Sequence, residues 1–198
     1  MSFQTPTIIS KYRQPNYPIH PLIYSRWSPR AMSGESISNE QLMSLFEAAR
    51  WAPSASNSQP WKFFYAHRET EYWEMYFDFL IEFNQLWTKN AAVLVVVTTQ
   101  KEKDEADSST KEFDVGAAWQ NLALEATNQG LIAHGIGGFD RKKAAEKLNL
   151  PAHCSVLAMV AIGKPGDLDQ IPERMRKQEV PNQRQPLKDM VQEGVLKD

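Results

Sequence analysis

Apolar residues recur at helical spacing after Ser38, where Leu42, Leu45, Phe46 and Ala49 fall on one face. Ser38 and Gln41 stand at the separation of a capping box, Ile37 and Leu42 at that of a hydrophobic staple, and Pro53 cannot continue the run, so a helix is predicted over 39–51. A second periodic stretch, 70–87, carries Tyr72, Trp73, Tyr76, Phe77, Leu80 and Ile81 on a broad face and predicts a buried, aromatic-rich helix. A third, 113–130, places Trp119, Leu122, Ala123 and Ala126 together and stops at Gly130. Two other runs are apolar throughout. AAVLVVVTT (91–99) and CSVLAMVAIG (154–163) read as strands covered on both faces, with a shorter strand at 62–65. LIAHGIGGFD leads into a short helix for which Asp140 is the natural N-cap.

The polar stretches complete the outline. Pro6, Pro15, Pro18 and Pro21 predict an extended arm over 1–23, and Pro172, Pro181 and Pro186 a loose tail from 170 with one short helix near 187–193. QKEKDEADSSTKE (100–112) is charged and aperiodic, a solvated loop whose functional reading is a lid beside a site. Several helices and few strands, without βαβ alternation, define an α+β class, and 198 residues fit one domain, 1–198.

Charge narrows the partners. Lys+Arg 22 against Asp+Glu 24 leaves no basic surplus for a phosphate backbone, so nucleic acid is not expected. The lone cysteine, Cys154, lies in an apolar run and is expected to be buried; no intrachain disulfide can form. The first residues lack a signal-peptide pattern and no apolar run spans a membrane, which predicts a reducing, cytoplasmic setting without membrane association. His20, His67, His134 and His153 are scattered, and no metal motif, P-loop or nucleophile elbow is present. Neither a metal site nor a catalytic residue is therefore assigned.

Three polar clusters remain. SRWSPR (25–30) offers two guanidinium groups and a hydroxyl to an anion. RWAPSASNSQPW (50–61) packs small polar residues between prolines and tryptophans, a helix-ending turn that could also offer donors and acceptors to a flat polar ring. GIGGFD (135–140) lacks the third glycine of a dinucleotide fingerprint but lets a ligand approach backbone N–H groups.

Taken in order, SRWSPR, AARWAPSASNSQPW, GIGGFD and RQPL (184–187) resemble the nitroreductase family of FMN-dependent oxidoreductases, over roughly residues 24–190. The resemblance implies a central mixed or antiparallel sheet flanked by helices and an intertwined homodimer with FMN at the interface. It implies that Arg26, Ser28 and Arg184 reach the FMN phosphate, with Trp27 packing beside it, and that Arg30 lies near the pyrimidine edge of the flavin. Pro53, Ser54, Ala55, Asn57 and Gln59 would be offered to the partner subunit's flavin, while Asn84, Gly137 and Gly138 would serve the ring or ribityl chain of their own. The tail from 170 would close the FMN site and the dimer. In that comparison Trp27 stands where many members carry a second basic residue, Trp87 where the family has a lysine, and Asn182 where some members have another phosphate-binding lysine. The implied activity is hydride transfer from NADH or NADPH through FMN to a small aromatic acceptor by a ping-pong scheme. The alternatives are a specialised member (dehalogenase, dehydrogenase or flavin-fragmenting enzyme) or a flavin carrier or interaction module without turnover.

Overall fold

A computed structural model describes residues 6–100 and 109–195. Four strands, β1 (Trp61–His67), β2 (Val93–Gln100), β3 (Ile132–Ile136) and β4 (Cys154–Gly163), form one sheet in the order β1-β2-β4-β3, every pair antiparallel. The described residues also form eight α-helices: α1 (Thr7–Tyr12), α2 (Pro21–Ser25), α3 (Asn39–Arg50), α4 (Trp73–Phe77), α5 (Glu82–Thr88), α6 (Ser109–Asn128), α7 (Arg141–Lys147) and α8 (Glu173–Arg176). The α+β reading of the sequence holds. Among the described residues no helix is long and apolar enough to cross a membrane.

β2 opens with the unbroken apolar run Val93–Val97 because both its faces are covered. Val93, Val95 and Val97 pack with Leu42 and Leu45 of α3 and Ala118 and Leu122 of α6. Leu94 and Val96 point the other way, into a layer of Trp73, Tyr76, Phe79 and Trp87. Strand alternation thus sends neighbouring residues into two cores, one on each side of the sheet. A register shift between Val97 and Thr98 interrupts the β2–β4 ladder.

α3 ends one residue before the predicted limit and is capped as its sequence specifies. Ser38 Oγ accepts from Gln41 N at 3.1 Å and Gln41 Oε1 accepts from Ser38 N at 3.1 Å. Asp140 caps α7 by accepting from Lys143 N at 2.9 Å.

Five expectations and one omission, β3, need correction. The arm over 1–23 is not wholly extended: α1 follows Pro6 and α2 begins at Pro21, because proline is well suited to the first turn of a helix, where its missing N–H costs nothing. The aromatic helix 70–87 is two helices broken at 78–81. There the Ile81 N–H donates to Gly138 O at 3.3 Å and Asp140 N to Phe79 O at 2.8 Å, while Gln85 Nε2 donates to the carbonyls of Phe77 and Leu80. Tertiary pairing with 138–140 has displaced the helical ladder. β3 lies within LIAHGIGGFD and shows no strand periodicity; at Gly135 a Cβ would stand 3.3 Å from the Trp119 ring, so close packing of α6 dictates a residue with no β-propensity. The end of the segment 100–112 belongs to α6, which begins at Ser109; the remainder of that predicted loop, 101–108, lies outside the described residues. Cys154, expected to be buried, is half-exposed at the first position of β4. The single short helix predicted near 187–193 is a one-turn 3-10 segment at Leu187–Asp189, and α8 and a second 3-10 turn at Leu168–Gln170 form where no helix was predicted.

Candidate cofactor site

Three distant stretches of chain meet at one cavity of about 440 Å³: the arm carrying Arg13, the loop Arg26–Arg30, and the tail carrying Gln178, Val180, Asn182 and Arg184, with His134 of β3 beneath them. Arg13 fastens them together. Its Nη1 donates to the carbonyls of Tyr24 (3.0 Å) and Arg26 (2.7 Å), and its Nε to that of Asn182 (2.9 Å). Arg13 is 8 % exposed. Its guanidinium is therefore a cross-link between chain ends rather than a free ligand arm.

Arg26 and Arg184 complete a trio of like charges. Arg26 Nη1 donates to Ser28 Oγ at 3.2 Å, and Arg184 Nη1 to Asn182 Oδ1 at 3.1 Å. Among the described residues no carboxylate lies within ion-pair distance of any of the three. Burial first, then the charges of Arg184 and Arg26, push the Arg13 guanidinium down to about 10; burial and Arg184 lower Arg26. Three gathered guanidinium groups without a counter-charge are electrostatically incomplete, and a phosphate is the anion whose geometry they match.

Arg30 is treated differently. The buried carboxylate of Glu179 accepts from the Arg30 and Ala31 backbone N–H groups, the latter at 2.9 Å, and its Oε2 faces Arg30 Nη1 at 3.5 Å. One arginine of the cavity is thus compensated while its neighbours are not.

A second group lies behind the cavity. Asn84 Nδ2 donates to Gly138 O at 2.8 Å and Asn84 Oδ1 accepts from Trp87 Nε1 at 3.1 Å. Trp87 in turn packs against His134, ring centroids 4.5 Å apart. A Cβ on Gly138 would come within 2.7 Å of Asn84 Nδ2, so glycine is what admits this contact, whereas Gly137 faces open space. His134 Nδ1 lies 2.9 Å from Pro29 O. Burial lowers its pKa from the ordinary 6.5, with Arg30 and Arg26 adding to the effect against the Pro29 carbonyl and Glu179. The neutral ring donates from Nδ1 and leaves Nε2 as an acceptor.

The third cluster stands apart. Pro53, Ser54, Ala55, Asn57 and Gln59 do not line the cavity. Their loop is exposed and tightly wound: Ser56, Asn57 and Gln59 have φ of 51°, 57° and 47°, each a left-handed conformation that costs a non-glycine residue of order 1 kcal/mol. Two ties hold it. Ala55 N donates to Asp114 Oδ2 at 3.0 Å, and Gln59 N to Ser54 Oγ at 3.1 Å.

Of the residues singled out by sequence, the fold brings Arg26, Trp27, Ser28, Arg30 and Arg184 to the cavity, and Asn84 to Gly138. Arg13, His134 and Glu179 were missed. Each is a lone polar residue in an unremarkable local pattern, and only tertiary contact assigns it a role. Trp87, at a place where a family cation was sought, is 1 % exposed and belongs to the core.

The fold and this anion-seeking cavity define a cofactor-binding α+β domain, and comparison with known proteins gives its family. The nitroreductase family model matches residues 23–83 and 80–164. A protein of Archaeoglobus fulgidus, provisionally named for NADH dehydrogenase/NAD(P)H nitroreductase activity, is 31% identical over 150 residues, covering 74% of this chain and 84% of its own. A crystal structure described as an oxidoreductase containing FMN superposes with a TM-score of 0.90 at 43% identity, covering 93% of this chain and 96% of the other. A Desulfovibrio desulfuricans protein, provisionally named a nitroreductase and solved in complex with FMN, shares the fold at 24% identity, with a TM-score of 0.73, over 92% of this chain and 100% of that one. This chain belongs to the nitroreductase family.

Proposed function

We propose that the protein is an FMN-dependent NAD(P)H oxidoreductase, acting as a homodimer on small aromatic acceptors such as nitroaromatics or quinones, with donor and acceptor occupying one cleft in turn. The observation that carries this reading is the trio Arg13, Arg26 and Arg184, gathered at the cavity with no carboxylate of the described residues within ion-pair distance of them. The relatives' FMN and NAD(P)H names support it.

FMN fits these residues. Its phosphate supplies the charge that Arg26, Arg184 and the Ser28 hydroxyl await, with Trp27 packing beside it, and Gly137 leaves room for a group to reach the backbone. When bound, FMN supplies two-electron transfer between nicotinamide and acceptor. The chain's own residues then bind, orient and set charge. Arg26, Ser28 and Arg184 hold the phosphate; Arg30 and His134 line the remaining wall; Asn84 fixes Gly138 and so the shape of the 137–140 turn. Because the flavin carries the chemistry, no general base is required. The loop with Pro53, Ser54, Ala55, Asn57 and Gln59 is assigned to the cleft of a partner subunit, which accounts for a strained polar turn held outward, away from its own cavity. The tail from 170 closes the site through Asn182 and Glu179.

An anaerobic absorbance spectrum tests this. A flavin band that bleaches with NADH or NADPH, and returns on adding a quinone, is expected; protein that stays colourless after reconstitution with FMN would overturn the proposal.

A further inference from the structure

Among the described residues, Glu179 is the one buried carboxylate that touches the wall of the cavity. It is 6 % exposed, lies between the cavity-lining residues Gln178 and Val180, and comes from a tail segment 149 positions away from the loop it grips. One oxygen, Oε1, is consumed by the N–H groups of Arg30 and Ala31. The other, Oε2, has no hydrogen-bond donor and faces Arg30 Nη1 at 3.5 Å; the Nε of Arg30 is buried and unpartnered as well. The pair is therefore held together by charge more than by hydrogen-bond geometry, in surroundings where water screens little. Holding the loop needs only Oε1. Oε2 adds negative charge beside the one cavity arginine outside the phosphate trio.

We infer that Glu179 is a positioning residue that sets the flavin's reduction potential by compensating Arg30. This rests on the proposal that the cavity holds FMN with its phosphate on Arg26, Ser28 and Arg184, which leaves the ring for the wall formed by Arg30 and His134. On reduction NAD(P)H loses a hydride, two electrons and one proton, and becomes NAD(P)+; FMN gains them as FMNH−, whose charge lies on its N1–O2 edge. An uncompensated arginine beside that edge stabilises the reduced form and raises the potential. With Glu179 against it, Arg30 presents a nearly neutral pair, and the potential stays lower, favouring onward electron delivery to the acceptor. Gln178 and Val180 carry Glu179 on the same segment that closes the cavity, so seating of the tail and charge at the ring wall are coupled.

The experiment measures the FMN midpoint potential in Glu179→Gln, Arg30→Gln and the double variant by equilibration with redox dyes. Gln keeps an oxygen for the two N–H groups and removes only the charge. Glu179→Gln is expected to raise the potential by about 30 mV or more, a tenfold change in the two-electron equilibrium, and Arg30→Gln to lower it. Loss of packing alone would not give opposite signs. If Glu179→Gln does not fold, the double variant, in which neither charge is left without its partner, decides the matter: its potential is expected above that of Arg30→Gln, and equality overturns the inference. An unchanged or lowered potential in folded Glu179→Gln also overturns it while wild-type FMN binding stands. Failure of the wild type to bind FMN removes the functional reading itself.

Discussion

Replacing Arg184 by Gln separates ligand binding from folding in a way the structure makes quantitative. Arg184 is exposed; its guanidinium donates to Asn182 Oδ1 at 3.1 Å and Gln183 O at 3.3 Å, and its charge lowers both Arg13 and Arg26. In the free protein its removal relieves repulsion between cations screened by water, an effect of under about 1 kcal/mol in the stabilising direction. With a phosphate present the same change removes a charge-assisted contact, about 1.5–3 kcal/mol, equivalent to about 10- to 150-fold in Kd. The two effects have opposite signs. Titrating apoprotein with FMN and with riboflavin, by quenching of flavin fluorescence, isolates the phosphate: FMN affinity should fall by that factor and riboflavin affinity should hold. An equal loss for both ligands would refute the assignment of Arg184 to the phosphate. A clear drop in the apoprotein Tm would refute the claim that the trio is unfavourable when empty.

Arg13 should behave in the opposite way. Arg13→Ala removes the bonds to the Tyr24, Arg26 and Asn182 carbonyls, and a loss of about 1.5–3 kcal/mol should appear without any ligand as a Tm lowered by about 3–12 °C. Asp114→Ala should leave the Ala55 N–H unpaired and cost about 1–3 kcal/mol, with faster amide exchange over Ala55–Gln59 and recovery in Asp114→Asn; unchanged exchange would show that the turn holds itself. Burial lowers His134, so its contribution to stability is complete above its ordinary 6.5 and declines as pH falls from there through the lowered value, since only the unfolded chain gains the proton. Urea midpoints at pH 7.5 and 5.5 should therefore differ more for wild type than for His134→Gln, and parallel curves would exclude His134 as the cause.

How much of this could be read from residue order depends on the range of the interaction concerned. The α3 cap, the Asp140 cap and the doubly covered strands β2 and β4 follow from neighbours within a few positions, and the sequence specifies them nearly to the residue. The break at 78–81 does not: its hydrogen bonds go to Gly138 and Asp140, some sixty residues on, and the aromatic periodicity runs through it undisturbed. β3 was hidden because Gly135 serves the Trp119 ring rather than the strand. In the site, Arg26, Ser28, Arg30 and Arg184 could be named because they sit in motifs with a fixed order. Arg13, His134 and Glu179 sit in none.

The four arginines at the cavity show why motif and mechanism diverge here. Arg13 spends its donors on backbone carbonyls and behaves as structure. Arg26 and Arg184 have side-chain hydroxyl and amide partners but no counter-charge among the described residues, so a bound anion is what would supply one. Arg30 has Glu179 and does not need one. Residue type is identical in all four cases, and what sets Arg13 and Arg30 apart is a partner delivered by a distant stretch of chain: Asn182 for the first and Glu179 for the second, both from the tail. The tail is therefore more than a closure. By supplying one carboxylate and withholding others it divides a single basic wall into a part that holds an anion and a part whose charge is set near neutral. A truncation removing 178–198 should accordingly weaken anion binding and alter charge at the ring wall together, whereas Arg184→Gln touches only the first and Glu179→Gln only the second.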